Sequence, residues 1–96
     1  MNISARITDE RVQDVRCDDS TLTVDLIDGR TISVPLAWYP RLLHATPEQR
    51  AIWEPCAGGY GIHWPELDED LSTEGLLAGA RAPRGSASWR SPLLAQ

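Results

Sequence analysis

Ninety-six residues, 42% hydrophobic and 24% charged, fit a single compact domain with one core, and that is the expectation here. The formal charge of −5 argues against general binding to nucleic-acid phosphates, because such binding draws its affinity from Lys and Arg displacing counterions. No apolar run approaches the roughly 18 residues a membrane span needs, and the N-terminal MNISARITDERV has no apolar core of leader length, so the reading is cytoplasmic, without a membrane partner.

The first structural signal is a series of alternating runs. Val12, Val15 and Cys17 mark one strand, Thr21-Leu22-Thr23-Val24-Asp25-Leu26 alternates polar with apolar, and Thr31-Ile32-Ser33-Val34 alternates again. Asp18-Asp19-Ser20 has turn composition. Asp28-Gly29 reads as a two-residue type I′ hairpin, in which both central residues take positive φ. A three-stranded antiparallel meander follows. Pro35 closes the third strand, Leu36 to Tyr39 make a connector, and Arg41-Leu42-Leu43-His44 is a short helix.

Thr46-Pro47-Glu48-Gln49 has the residues of a helix start, with Thr46 as N-cap, Pro47 at the first helical position and Gln49 completing a capping box. The helix is expected to run to about Glu54, just before Pro55. Ala57 to Trp64 holds too many glycines for a helix, and alternation of Tyr60, Ile62 and Trp64 predicts a strand with one buried face, ended by Pro65. Asp68, Asp70 or Ser72 then caps a last helix, with acids at its positive dipole end, Leu71, Leu76 and Leu77 inward and Gly79 at its close. The fold class is α+β, a small antiparallel sheet made of the meander plus a later strand, packed with two or three short helices. Residues 1–79 form the domain. Residues 80–96, ARAPRGSASWRSPLLAQ, lack any period and read as a flexible tail whose Trp89, Leu93 and Leu94 suit a short partner-binding segment.

Charge is distributed unevenly. Residues 1–50 carry eight acids and six arginines, 51–80 six acids with no Lys or Arg, and 81–96 three arginines with no acid.

The motifs for chemistry are weak. Gly58-Gly59-Tyr60-Gly61 lies beside a strand and lacks a following P-loop Lys, so it reads as a tight turn and not a phosphate cradle. Cys17, His44, Cys56 and His63 match a zinc ligand count without the close pairs that mark such sites, and Asp68-Glu69-Asp70 lacks EF-hand spacing, so neither metal nor cofactor is expected. With no CxxC motif, the cysteines read as reduced thiols. Cys56 with His63 is the best nucleophile and base pair on offer. Seven residues of strand would separate the two unless the glycine turn folds the chain back, and no third orienting group is evident. The domain is therefore read as non-enzymatic.

Surface recognition fits better. Tyr39 and Trp64 are expected to flank an exposed groove, with Glu66, Asp68, Glu69 and Asp70 as an acidic contact surface for a basic partner. An edge strand of the meander is also able to pair two copies, which leaves a homodimer open.

The stretches VPLAWYPRLL and GYGIHWPELDEDLSTEGLLAG, most specifically Gly61-Ile62-His63-Trp64-Pro65 followed by Leu67-Asp68-Glu69-Asp70-Leu71 and Gly75-Leu76-Leu77, resemble the DUF2442 family of small bacterial domains of unknown function over roughly residues 10 to 79. The resemblance implies a small α+β domain. It also implies a place in two-gene modules, beside another small protein in arrangements like those of toxins and antitoxins. It brings no catalytic residue. The helix-turn-helix domain that some relatives carry has no counterpart, so direct nucleic-acid binding is not expected. The expected function is that of a protein-binding module, antitoxin-like or regulatory. The alternatives are an acidic nucleic-acid mimic that inhibits a host or phage protein, and a structural domain of unknown role.

Overall fold

The computed structural model describes residues 8–79. The expectations placed on the 80–96 tail lie outside the described residues.

Strands β1 (Val12–Cys17), β2 (Thr21–Leu26) and β3 (Thr31–Pro35) form the predicted antiparallel meander, in the order β1-β2-β3. Period-2 patterning sets its register: Leu22, Val24 and Leu26 of the central strand are fully buried, while the residues between them stay partly exposed. The Asp18 carboxylate tightens the first turn, accepting from the Ser20 and Thr21 N–H groups at 2.8 and 2.7 Å. The second turn differs from expectation. Gly29 alone takes positive φ, at 99°, and the Leu26 N–H donates to the Arg30 carbonyl. That is a three-residue loop ending in a left-handed glycine, which Asp28 enters without strain.

After a 3-10 turn over Leu36–Trp38 come helices α1 (Pro40–Leu43) and α2 (Pro47–Ala51). The capping box is present as read from the sequence. Thr46 Oγ1 accepts from the Gln49 N–H at 3.1 Å, and Gln49 Oε1 accepts from the Thr46 N–H at 3.0 Å. The helix stops three residues earlier than expected. Ile52 is already extended (φ −98°, ψ 96°), and Pro55 biases Glu54 toward extended backbone, so Glu54–Cys56 becomes a strand, β4.

A second sheet follows, in the order β4-β5-β6, with β5 at Gly61–Trp64 and β6 at Glu69–Ser72. Two expectations change here. The single strand from Ala57 is interrupted because Ala57, Gly58 and Gly59 all take positive φ and turn the chain back, which leaves Tyr60 half exposed at the turn. The last helix starts later, because Pro65 and a left-handed Asp68 (φ 51°) reverse the chain and bring Glu69–Ser72 alongside β5. Asp68 and Asp70 therefore cap nothing. Ser72 caps α3 (Thr73–Leu77), its Oγ accepting from the Gly75 N–H at 2.9 Å, and only Glu74 lies in the first turn. Leu76 is buried as expected, but Leu77 is exposed.

One core joins these parts. Val15, Leu22, Val24, Leu26 and Val34 of the first sheet meet Leu36, Tyr39 and Leu42 of the connector and α1, Ile62 and Trp64 of β5, and Leu76 of α3. Among the described residues no helix is long and apolar enough to cross a membrane.

Candidate functional site

The antiparallel register of the second sheet sorts its side chains into two faces. Glu54 stands opposite His63 and His63 opposite Asp70, while Cys56, Gly61 and Ser72 share the next row. These residues occupy the outer face, whereas Pro55, Ile62, Leu71, Trp64 and Glu69 occupy the other, with Ile62 and Trp64 fully buried. The stretch Glu66 to Asp70 that looks like one acidic strip in sequence is thus split by structure. Glu66 and Asp68 are exposed in the β5–β6 turn, Asp70 points outward with its side chain 67% exposed, and Glu69 points inward with 14% exposed.

Tyr39 and Trp64 do not flank an exposed groove. Tyr39 retains 2% of its surface and Trp64 none, because aromatic rings of this size are what a small core needs to fill the space between its sheets. The Trp64 indole N–H donates to the Arg50 carbonyl at 3.1 Å, and the Arg50 guanidinium in turn caps α1 by donating to the Leu42 and Leu43 carbonyls at 2.8 and 2.9 Å. Sequence reasoning passed over Arg50, since its partners are backbone atoms that carry no residue signature.

Glu69 belongs with this inner set. Burial pushes its carboxyl pKa up, and Arg41, whose Nη1 lies 3.9 Å from Oε1, pulls against that shift. Arg41 also donates to the Asp68 carbonyl at 2.5 Å, tying α1 to the β5–β6 turn. Burial likewise raises the Tyr39 phenol, with the Glu69 charge adding to the effect.

On the outer face, His63 Nδ1 lies 2.5 Å from Asp70 Oδ1. A carboxylate only accepts, so the proton on this bond sits on Nδ1. The glycine turn does fold Cys56 back beside β5, but it places the thiol over Gly61. A Cβ added there would come within 2.7 Å of Sγ. Burial raises the Cys56 pKa, and the nearby Asp70 and Glu54 charges add to it. That shift favours the thiol over the thiolate. Among the described residues, no group of three or more His, Cys, Asp or Glu is placed to hold a metal ion. An open depression of about 440 Å³ lies between Val12, Ile27, Pro55 and the Gly58-Gly59 turn. The titratable group at its rim, Arg11, is committed to Asp9, with Nη2 2.6 Å from Oδ2.

The two ends of the molecule differ in how charge is compensated. Arg11 pairs with Asp9, Arg16 with Asp14 and Asp25, and Arg30 with Asp28 and Glu10, all in or beside the first sheet. The Arg30 side chain and the Asp9 N–H hold the Asp28 carboxyl at a pKa of about 2. By contrast, no arginine pairs with Glu54, Glu66, Asp68, Asp70 or Glu74 among the described residues.

Two linked three-stranded antiparallel sheets with short helices, the second carrying Glu54, His63 and Asp70 on its outer face, define a small α+β domain. The chain belongs to the DUF2442 family of proteins of unknown function, whose model matches residues 12–82. It is similar to a protein of unknown function from Rhodospirillum rubrum, known from a crystal structure, at 34% identity and a TM-score of 0.67 over 84% of this chain and 96% of that one. An uncharacterized protein from Chromobacterium violaceum, solved by solution NMR, is similar at 29% identity and a TM-score of 0.63, over 74% of this chain and 67% of that one. No curated protein matches the chain.

Proposed function

We propose that this domain is a non-enzymatic protein-binding module, antitoxin-like or regulatory in role, whose acidic outer face receives a basic surface of another small protein. The observation that carries this reading is the segregation of charge. Among the described residues, five carboxylates of the second sheet and its flanks have no arginine partner, while at the first sheet Asp9, Glu10, Asp14, Asp25 and Asp28 each have one and only the turn residues Asp18 and Asp19 do not. Such a face steers an oppositely charged partner and gains most where the partner supplies bidentate arginines. Glu69 is left out of the contact set because it turns inward, and Glu54 takes its place as an exposed neighbour of His63.

The test is capture from a nuclease-treated lysate of the source organism, followed by affinity measurement on whatever protein is retained. Reversal of Glu66, Asp68 and Asp70 to Lys is expected to weaken that complex by more than tenfold at low salt and to flatten its salt dependence. Equal affinity for wild type and variant removes the acidic face from the mechanism. Competition of the retained partner with DNA or RNA would instead favour the nucleic-acid mimic.

A further inference from the structure

The outer face of β4-β5-β6 has no covering layer among the described residues, since the core and the buried side chains Ile62 and Trp64 lie on the opposite side. We propose that its occupant in the free protein is the chain's own segment 80–96, docked in cis. This shares its surface with the reading above and names what a partner must displace.

Three observations carry the inference. The first is charge complementarity, since the segment brings Arg81, Arg84 and Arg90 and no acid, whereas residues 51–80 bring six acids and no Lys or Arg. The arginines of the described body cannot serve instead. Arg11, Arg16 and Arg30 are paired at the first sheet, Arg41 is held by the Asp68 carbonyl and Glu69, and Arg50 by two α1 carbonyls.

The second is the point of departure. Helix α3 begins directly after Ser72, the last residue of β6, and spans only five residues, about 7.5 Å of rise. The segment therefore leaves close to the face it would cover. Seventeen residues extend to at most about 60 Å, so all three arginines reach the row of Glu54, His63 and Asp70 without strain. A tether this short holds the segment at an effective concentration in the millimolar range, so a contact of millimolar affinity is enough to populate the docked state.

The third is the family boundary. The shared pattern ends at residue 82, so most of the segment lies beyond the region matched by the family, whereas the described core, Val15 to Leu76, lies within it.

The test uses full-length, nitrogen-15-labelled protein and compares wild type with Arg81→Ser/Arg84→Ser/Arg90→Ser. Amide positions are read at low and high salt and at two protein concentrations tenfold apart. Docking in cis predicts that the triple variant shifts the amides of Glu54, His63 and Asp70 while those of β1 to β3 stay in place. Wild type should approach the variant's positions as salt rises, with no dependence on concentration. Coincident spectra at low salt overturn the inference. Shifts that grow with concentration also overturn it, because the face would then hold another copy's segment. Partner capture by the same variant separates this from the proposed function. Docking predicts several-fold more partner bound once the arginines are removed. Absent shifts with capture still lost on Glu66/Asp68/Asp70 reversal sink the cis contact alone. Clear shifts with capture unaffected by that reversal sink the partner reading alone.

Discussion

Glu69 and Asp70 are neighbours in sequence and opposites in environment, and the difference comes from strand geometry alone. Asp70 faces water beside His63, while Glu69 is turned toward Tyr39 and Arg41 and is raised in pKa by burial. Since the folded-state pKa of Glu69 lies above its unfolded value, the folded state binds this proton more tightly. Its contribution to stability is full below the unfolded pKa and is lost as pH rises through the folded one. Asp9, Asp18, Asp25 and Asp28 are displaced the other way, chiefly by Arg11, the Ser20 and Thr21 N–H groups, Arg16 and Arg30, so their contribution is lost as pH falls through their lowered values. Glu69→Gln isolates the first effect from the second. Urea titrations of wild type and variant from pH 3 to pH 8 should show the variant's relative stability rising with pH through the Glu69 titration and then levelling. A difference that stays constant with pH would mean that Glu69 titrates alike in both states. In the sequence Glu69 reads as a member of the expected acidic surface, because a run of acids gives no sign of which one a strand will turn inward.

The short helices were legible where their determinants are local, and the short strands were not. The α2 cap closes within four residues, Thr46 to Gln49, so residue types alone disclose it. Thr46→Ala should lower stability by about 1 kcal/mol, measured as a reduced urea midpoint with an unchanged slope, whereas Thr46→Ser should retain most of it. The cap matters beyond its own five residues because α2 packs on β1 and carries the Arg50 carbonyl that receives the Trp64 indole. An undisturbed midpoint in Thr46→Ala would mean that tertiary contacts alone hold α2. Strands β4 and β6 gave weaker signals. Glu54-Pro55-Cys56 is three residues long with a proline in the middle, and Glu69-Asp70-Leu71-Ser72 carries two acids, so propensity favours neither. Pairing with β5 from both sides decides them, and that pairing depends on turns at Ala57–Gly59 and Asp68 whose positive φ values were only partly readable, from the two glycines. The outer row of Glu54, His63 and Asp70 was hidden for the same reason.

At the scale of the whole molecule, the question is whether two three-stranded sheets behave as one folding unit. Neither sheet closes a core by itself. The three buried residues of β2 need the opposing layer that Ile62, Trp64, Tyr39 and Leu42 supply, and a lone three-stranded sheet with one wet face is marginal in water. The connections across the two sheets are buried side chains and not backbone ladders, so the coupling is carried by packing. Ile62→Ala tests this, since Ile62 belongs to the second sheet by pairing and to the shared core by burial. Removing its side-chain carbons should cost about 2–5 kcal/mol, a large part of the stability of a domain this size. In a single cooperative unit, amide-exchange protection should fall by the same free energy in β2 as in β5, and the urea transition should stay monophasic. Loss of protection confined to β4 to β6, with β2 unchanged, would instead mark the second sheet as a separable unit. Under the proposed binding role, that outcome would also mean that a partner stabilises the second sheet alone, whereas in a single unit it would stabilise every strand through the common core.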